Sequence, residues 1–211
     1  MRTLPWPAEQ PTLQAAGVRL RPWRVEDAPA VHAACQDPDI QRWTTVPVPY
    51  GPDAAGALVR EVAPRQWRAR TGALFAVTSA EDGDEAGGGS AGGGSAGGGS
   101  AGGGSAGDGG HDVLASCGLV FVDAEERVAE VGYWAAPWAR GRGVVRRAVQ
   151  LLAAWATTEG GLDRLELYVD VDNLPSRALA RAVGAEEEGV LRRKVLHRGQ
   201  RRDVVLYALL A

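Results

Sequence analysis

The stretch EVGYWAAPWARGRGVVRRAVQLLAAWA, residues 130–156, decides the fold. Its first residues have the composition of a strand, and its second half carries an apolar stripe with helical spacing. Between them lie Gly141 and Gly143, where the backbone can approach a ligand without an intervening Cβ. A helix that begins after such a turn presents unpaired N–H groups and the positive end of its dipole. The stretch therefore predicts an anion site, most often for phosphate, held mainly by backbone.

Two common phosphate loops do not fit this stretch. A P-loop ends in Gly-Lys-Ser/Thr, whereas Gly143 is followed here by Val144, Val145 and Arg146. The dinucleotide fingerprint has three spaced glycines early in a βαβ unit. Only Gly141 and Gly143 are present, and they lie late in the chain. The sequence thus argues against both nucleotide-binding classes.

The loop instead resembles the pyrophosphate loop of the GNAT acetyltransferases, (Arg/Gln)-x-x-Gly-x-(Gly/Ala). Arg140 and Gly143 match that pattern, and Val145 replaces its small last residue. Residues 173–184, N-x-x-S-x-x-L-A-x-x-x-G, resemble the second hallmark of the family. Residues 188–192, EGVLR, are similar to the E-G-x-x-R strand of the RimJ/RimL-like branch, which acetylates protein N-termini or small amines. The resemblance covers nearly the whole chain outside a Gly/Ser tract.

The resemblance implies the GNAT fold. This is an α/β (α+β) fold with a mixed, mostly antiparallel central sheet flanked by helices on both faces, in which strands four and five splay apart and open a slot for pantetheine. Composition and periodicity predict strands at 17–23, 73–79, 113–122, 127–135, 163–170, 187–196 and 201–210, and helices at 26–36, 53–70, 143–158 and 175–183.

The resemblance also implies acetyl-CoA as cosubstrate. The residues expected to bind it are Trp134, Ala135 and Ala136 through their backbone, the loop residues Arg140, Gly141, Arg142, Gly143, Val144 and Val145 around the pyrophosphate, and Asn173 and Ser176 near the pantetheine arm. Asn173 is also a good N-cap for the helix that follows, and that simpler role is the alternative.

Acetyl transfer to an amine needs a deprotonated amine, a stabilised carbonyl oxygen and a supported leaving thiolate. The sequence contains no Ser/His/Asp or Cys/His arrangement, which favours direct attack by the amine. Many GNAT enzymes place a Tyr where Ala180 stands, while the RimL-like branch uses a Ser that Ser176 matches. Glu130 is the predicted base, with an ordinary strand carboxylate as the alternative. Because Tyr168 and Val195 stand where relatives carry glutamates, a water relay is a second alternative.

The 211 residues predict a single acetyltransferase domain interrupted by a flexible Gly/Ser-rich insert at about 81–112. Within the insert AGGGS repeats four times between two strand-like runs, which indicates an expanded hairpin loop. Lengthening a loop from about 5 to about 30 residues costs only roughly 1.6 kcal/mol. The insert is therefore compatible with one folded unit.

Composition narrows the function classes. Cys35 and Cys117 have no metal-ligand spacing, so no metal is predicted. No run of about 18 apolar residues and no apolar signal core exists, so we expect a cytoplasmic protein without a membrane partner. The net charge of −3 argues against nucleic acid, although an Arg-rich hairpin at 192–202 leaves an RNA-binding module as an alternative. The resemblance also implies a homodimer as one option.

The predicted function is an acetyl-CoA-dependent N-acetyltransferase that acts on a primary amine, either a protein N-terminus or a small molecule. The alternative is a catalytically degenerate module that binds CoA as a sensor. Turnover with an amine distinguishes the two.

Overall fold

The structure is a computed structural model and describes residues 4–15, 17–80 and 112–211. Eight strands form one sheet in the order β1-β2-β3-β4-β5-β6-β8-β7. Their bounds are β1 Leu13–Ala15, β2 Val18–Arg21, β3 Ala73–Ser79, β4 Ala115–Asp123, β5 Val128–Ala135, β6 Arg164–Asp170, β7 Glu186–His197 and β8 Gln200–Leu210. All neighbouring pairs are antiparallel except β5 and β6. This is the predicted fold class.

The helices are α1 Ala28–Ala34, α2 Pro38–Trp43, α3 Pro52–Ala57, α4 Ala63–Ala69, α5 Val144–Thr158 and α6 Leu174–Ala182. A π-helical turn, Leu58–Val62, joins α3 to α4, so the helix predicted at 53–70 is present but interrupted. Two short elements, α2 and β1, are absent from the sequence prediction. Both are too short for their periodicity to show in a single sequence.

The helices flank the sheet and cover much of its apolar surface. Helix α5 packs against β1, β2, β4 and β5, α6 against β6 and β7, and α4 against β3. Aromatic side chains tie the N-terminal segment to this core, because the Trp6 ring stacks on Trp67 at 4.8 Å and lies 5.5 Å from Trp155. The Trp6 indole N–H also donates to the carbonyl of Gly160 at 2.9 Å. The start of the chain is thus anchored to the end of α5.

The parallel pair β5 and β6 is joined only at its beginning. Its register partners are Val128 with Arg164, Ala129 with Leu165, and Glu130 with Glu166. Beyond Glu130 the two strands diverge, while β5 stays paired with β4 and β6 with β8. This confirms the predicted splay of the fourth and fifth strands, which are β5 and β6 once β1 is counted.

Strands from both sides of the Gly/Ser tract belong to the same sheet. The N–H of Leu114 donates to the carbonyl of Val77 at 2.8 Å, so β3 and β4 are hairpin partners. The tract itself, residues 81–111, lies outside the described residues, and its predicted flexibility stays a prediction. Among the helices that the structure describes, none combines the length and apolar character that a membrane crossing requires.

Candidate active site

The loop between β5 and α5 has the backbone that two glycines allow. A 3₁₀ turn, Pro137–Ala139, leads to Arg140 in an extended conformation. Gly141 and Gly143 then adopt φ angles of +73° and +67°, the left-handed region that favours glycine. Helix α5 begins directly after Gly143, and no side chain caps it. Its first N–H groups therefore have no side-chain partner, which is the arrangement that an anion site requires.

Cationic side chains gather around this loop. A Cβ on Gly143 would lie 3.2 Å from the guanidinium Nη1 of Arg147, which folds back over the turn. The Arg147 Nε is buried and has no hydrogen-bond partner within the described part of the chain. Arg142 and Arg146 are exposed. In residues 4–15, 17–80 and 112–211 no salt bridge engages any of these three guanidiniums. The loop thus carries positive charge that is not neutralised locally.

Val144 and Val145 face the core rather than the loop. Both side chains are buried, Val145 at 8% exposure. Val145 stands where the family pattern has a small residue. Its side chain therefore packs into the core beneath the loop.

The Arg140 guanidinium contacts two carboxylates at the start of α2, away from the turn where a phosphate is expected. Its Nη2 lies 2.5 Å from Asp37 Oδ1, and its Nη1 lies 3.5 Å from Asp39 Oδ2. Asp37 is the N-cap of α2 and accepts the N–H groups of Asp39 and Ile40 at 3.0 Å each. Burial opposes ionisation of Asp37, but these hydrogen bonds outweigh it and lower the pKa of the carboxyl. Arg140 therefore fastens the loop to α2.

The backbone of residues 134–136 runs along the slot. Ala136 has both backbone groups engaged, because its N–H donates to Leu114 O and its carbonyl accepts from Ala139 N, each at 2.9 Å. Ala135 pairs with Ala115 in the β4–β5 ladder. The Trp134 ring lies 6.5 Å from that of Trp23. Of these three residues, Ala136 therefore has the fewest unpaired backbone groups with which to bind a ligand.

The first turn of α6 places two predicted residues together. Asn173 Oδ1 accepts the backbone N–H of Ser176 at 3.2 Å, which is the N-cap interaction. The Ser176 hydroxyl Oγ lies 2.7 Å from the phenol oxygen of Tyr133 on β5. Sequence reasoning missed Tyr133. The alternation of side chains along β5 is the signal that could have indicated it. It places Tyr133 on the opposite face of the strand from Glu130.

Glu130 lies on the face of β5 that also carries Trp134. It is half-buried beside Glu166 of β6, its register partner. Burial raises the pKa of Glu130, the charge of Glu166 raises it further, and Lys194 partly offsets both. A carboxylate with a raised pKa is closer to the range in which it can exchange a proton at neutral pH.

Glu166, in contrast, is fully engaged. Its Oε1 accepts from Arg164 Nε at 2.7 Å, and its Oε2 accepts from the Tyr168 hydroxyl at 2.6 Å. Arg164 also pairs with Glu188. Within the part of the chain that the structure describes, no hydrogen bond or salt bridge engages the side-chain carboxylate of Glu130, so it is the available carboxylate of this group.

The site therefore has two sides, separated by β5. Glu130 and Trp134 face one side, and Tyr133 with Ser176 faces the other, where α5 and α6 pack. The slot between β5 and β6 connects them, and the loop at the start of α5 lies at its end. Such a site can hold an anionic cofactor by its phosphates, with a carboxylate on one face of β5 and a hydroxyl pair on the other.

Comparison with known proteins identifies the family. Residues 18–186 match the model of the acetyltransferase (GNAT) domain family. The chain belongs to this family, which confirms the predicted GNAT resemblance.

A related sequence is YdaF of Bacillus subtilis (strain 168), which carries the provisional name ribosomal N-acetyltransferase. It is 35% identical over 97 residues, 44% of this chain and 53% of YdaF. The chain spans about half the length of the curated relatives it matches.

Two solved structures share the fold. RimL, a ribosomal L7/L12 alpha-N-protein acetyltransferase in complex with coenzyme A, has a TM-score of 0.73 at 16% identity and covers 95% of this chain and 98% of its own. RimJ of Mycobacterium smegmatis, in complex with a CoA-disulfide, has a TM-score of 0.71 at 24% identity and covers 99% of this chain and 90% of its own. Both neighbours share the predicted fold, and both were solved with coenzyme A or its disulfide.

Proposed function

We propose that this protein transfers the acetyl group of acetyl-CoA to a primary amine, by direct attack of the amine on the thioester carbonyl. The observation that carries the proposal is the glycine loop at the start of α5, with Gly141 and Gly143 in left-handed conformations, opening onto the slot between β5 and β6. Membership of the GNAT family supports the reaction class.

The loop and its cations would hold the pyrophosphate. Backbone N–H groups of residues 143–145 point out of the uncapped start of α5, and Arg147 lies beside them. The residues expected at the cofactor are Trp134, Ala135, Ala136, Arg140, Gly141, Arg142, Gly143, Val144, Val145, Asn173 and Ser176. Among them Arg140 would act mainly by holding the loop, since Asp37 occupies its guanidinium.

Two side chains would carry the proton chemistry. Glu130 would accept a proton from the attacking amine, directly or through a water, because burial and Glu166 raise its pKa toward that task. The Ser176 hydroxyl would donate a hydrogen bond to the sulfur as the C–S bond breaks. Such a donor matters most when negative charge develops on the leaving group.

The acceptor side favours a peptide N-terminus over a polycationic small molecule. Glu166 and Glu188 are neutralised by Arg164, so the carboxylates near Glu130 do not form a strongly acidic pocket. Phe121 is 57% exposed and lies opposite Glu130 in the β4–β5 ladder. One available carboxylate beside an exposed aromatic ring suits a single ammonium group followed by an uncharged side chain. A cytoplasmic location and a homodimer stay predictions from the sequence.

The first test is a thermal-shift titration with acetyl-CoA, run beside ATP and NAD. We expect acetyl-CoA alone to raise the melting temperature of the wild type, and Gly143→Trp to lose that shift. Gly143 is the better target than Arg140, because Arg140→Ala would also release α2. An unchanged melting temperature with acetyl-CoA would contradict the proposal.

The second test is thiol release from acetyl-CoA with a panel of acceptors. The panel pairs short peptides that have a free N-terminus with the same peptides blocked at the N-terminus, and adds polyamines. Release with the free peptides alone supports the proposed acceptor. Tight acetyl-CoA binding without release for any acceptor would instead favour the sensor alternative.

A further inference from the structure

The hydrogen bond between Tyr133 and Ser176 joins β5 to α6 on one face of the sheet. Tyr133 belongs to β5 and Ser176 to the first turn of α6, 43 residues later, and their oxygens are 2.7 Å apart. Tyr133 lies three residues past Glu130, the last residue of β5 that pairs with β6, and α6 follows β6 in the chain. The contact therefore lies where the reactive end of a cofactor in this slot would pass.

The direction of this hydrogen bond matters for the chemistry. Each hydroxyl has one proton and can accept through its lone pairs. Burial raises the pKa of Tyr133 to about 12, so the phenol keeps its proton at neutral pH. Either hydroxyl can donate at this distance, and the greater acidity of a phenol over an alkyl hydroxyl favours Tyr133 as the donor and Ser176 Oγ as the acceptor. The serine proton is then free to point to a third group.

The surroundings leave Ser176 few other orientations. Its backbone N–H is held by Asn173 Oδ1 at 3.2 Å, which fixes the first turn of α6. Tyr133 in turn is fixed by the β4–β5 ladder, where it lies opposite Cys117. Two rigid elements thus determine where the hydroxyl lies.

We propose that Tyr133 is a positioning residue that holds the Ser176 hydroxyl as a hydrogen-bond donor toward the sulfur of the cofactor. The inference rests on the proposed acetyl transfer. In that step the amine nitrogen bonds to the acetyl carbon, the C–S bond breaks, and its electron pair goes to sulfur. The Ser176 O–H donates a hydrogen bond to that thiolate and keeps its proton, while the amine proton leaves to Glu130 or water. Tyr133 transfers no proton, because its phenol is a weaker acid than the thiol.

The chain offers a matched control. The Tyr168 hydroxyl donates to Glu166 Oε2 at 2.6 Å and lies on the opposite face of the sheet. The substitution Tyr168→Phe removes a comparable hydrogen bond without touching Ser176. It separates the specific effect of Tyr133 from the general effect of losing a phenol.

The kinetic test is a double-mutant cycle of Tyr133→Phe and Ser176→Ala, with thiol release as the readout. We expect Tyr133→Phe to lower kcat about tenfold with little change in the KM for acetyl-CoA. In the Ser176→Ala background the same substitution should have almost no further effect, because the two groups act as one unit. An equal loss in both backgrounds, or a loss confined to KM, would overturn the proposal.

A second measurement needs no turnover. The thiol of bound CoA is titrated by its ultraviolet thiolate absorbance, in the wild type, Tyr133→Phe and Tyr168→Phe. A donor aimed at sulfur stabilises the thiolate, so Tyr133→Phe should raise the pKa of the bound thiol and Tyr168→Phe should not. If CoA binds with the same thiol pKa in all three, the proposal fails while the acetyltransferase function stands. If CoA does not bind at all, the proposed function fails and this inference with it.

Discussion

Asp37 holds Arg140 across 103 residues of sequence, with Asp37 Oδ1 at 2.5 Å from Arg140 Nη2. The same oxygen caps α2 by accepting the N–H groups of Asp39 and Ile40. One carboxylate therefore joins the start of a helix to the loop proposed to hold the pyrophosphate. Its removal should affect stability and cofactor binding together.

We expect Asp37→Ala to lower the free energy of unfolding by about 1–2 kcal/mol at pH 7, the usual value of an N-cap with a small contribution from the ion pair. The pKa of Asp37 is lowered in the folded protein, so its stabilisation is present above the unfolded pKa and is lost as pH falls through the folded one. The difference in unfolding free energy between the wild type and Asp37→Ala should therefore be smaller in acid. Urea unfolding at pH 7 and pH 3 measures it.

Asp39→Ala is the control for this effect. The Asp39 side chain is 66% exposed, and its carboxylate lies 3.5 Å from Arg140. We expect a change of less than about 0.5 kcal/mol. Equal losses of unfolding free energy in Asp37→Ala and Asp39→Ala would show that the N-cap contact of Asp37 does not account for the effect.

Glu130→Gln should lower activity and raise stability. The pKa of Glu130 is raised in the folded protein, so the folded state binds the proton more tightly than the unfolded chain. The ionised side chain then destabilises the fold above that pKa, and stability decreases as pH rises through it. The amide removes this charge. Melting temperatures at pH 5 and pH 8 should show a larger gain from the substitution at the higher pH.

The same variant tests the role of Glu130 as a base. We expect kcat/KM of the wild type to increase with pH through the Glu130 pKa, and Glu130→Gln to lose about 10²-fold or more together with that limb of the profile. An unchanged kcat/KM would show that Glu130 is an ordinary strand carboxylate. It would favour deprotonation of the amine through a water relay that does not involve Glu130.

Gly143→Val should weaken acetyl-CoA binding more than it weakens the fold. A side chain at φ +67° costs about 1–2 kcal/mol in backbone strain, and the new Cβ would press on Arg147. Loss of the loop's hydrogen bonds to phosphate should weaken the acetyl-CoA Kd by about tenfold or more, measured by calorimetry. Gly17→Val is the matched control, because Gly17 has φ +75° and open space around its Cβ position. Gly17→Val should lower stability through backbone strain alone and leave the Kd for acetyl-CoA unchanged.

Shortening the Gly/Ser tract should stabilise the fold. Val77 and Leu114 are hydrogen-bonded neighbours, so a short turn can replace residues 82–111. Closing a loop of about 5 rather than about 30 residues should raise the free energy of unfolding by roughly 1.6 kcal/mol. Acetyl-CoA affinity should be unchanged if the tract has no part in the cofactor site. A weaker affinity would show that it does.

The elements predicted from sequence were those with strong local signals. The helix 143–158 and the strand 163–170 were found within one residue, because apolar spacing and glycine turns mark their ends. The short helix α2 was missed, although Asp37 followed by Pro38 is an N-cap signal that could have shown it. Six residues are simply too few to show a period.

The contacts that shape the site could not be predicted in the same way. Arg140 was expected beside the phosphate because the loop pattern places it there, and nothing nearby in sequence indicates Asp37. The Tyr133–Ser176 hydrogen bond likewise joins residues whose proximity depends on how α6 returns to β5. Local patterns fix which elements form, whereas such pairs depend on tertiary packing.

The alternation of β5 has a consequence for how this chain could change over time or be redesigned. Side chains on the Glu130 face and side chains on the Tyr133 face are interleaved on one strand, at even and odd positions. Substitutions on the Glu130 face can therefore change that face without disturbing the contact of Tyr133 with Ser176. An insertion or deletion of a single residue within the strand would exchange the two sets at once. Diversification here should proceed by replacement, with strand length held constant.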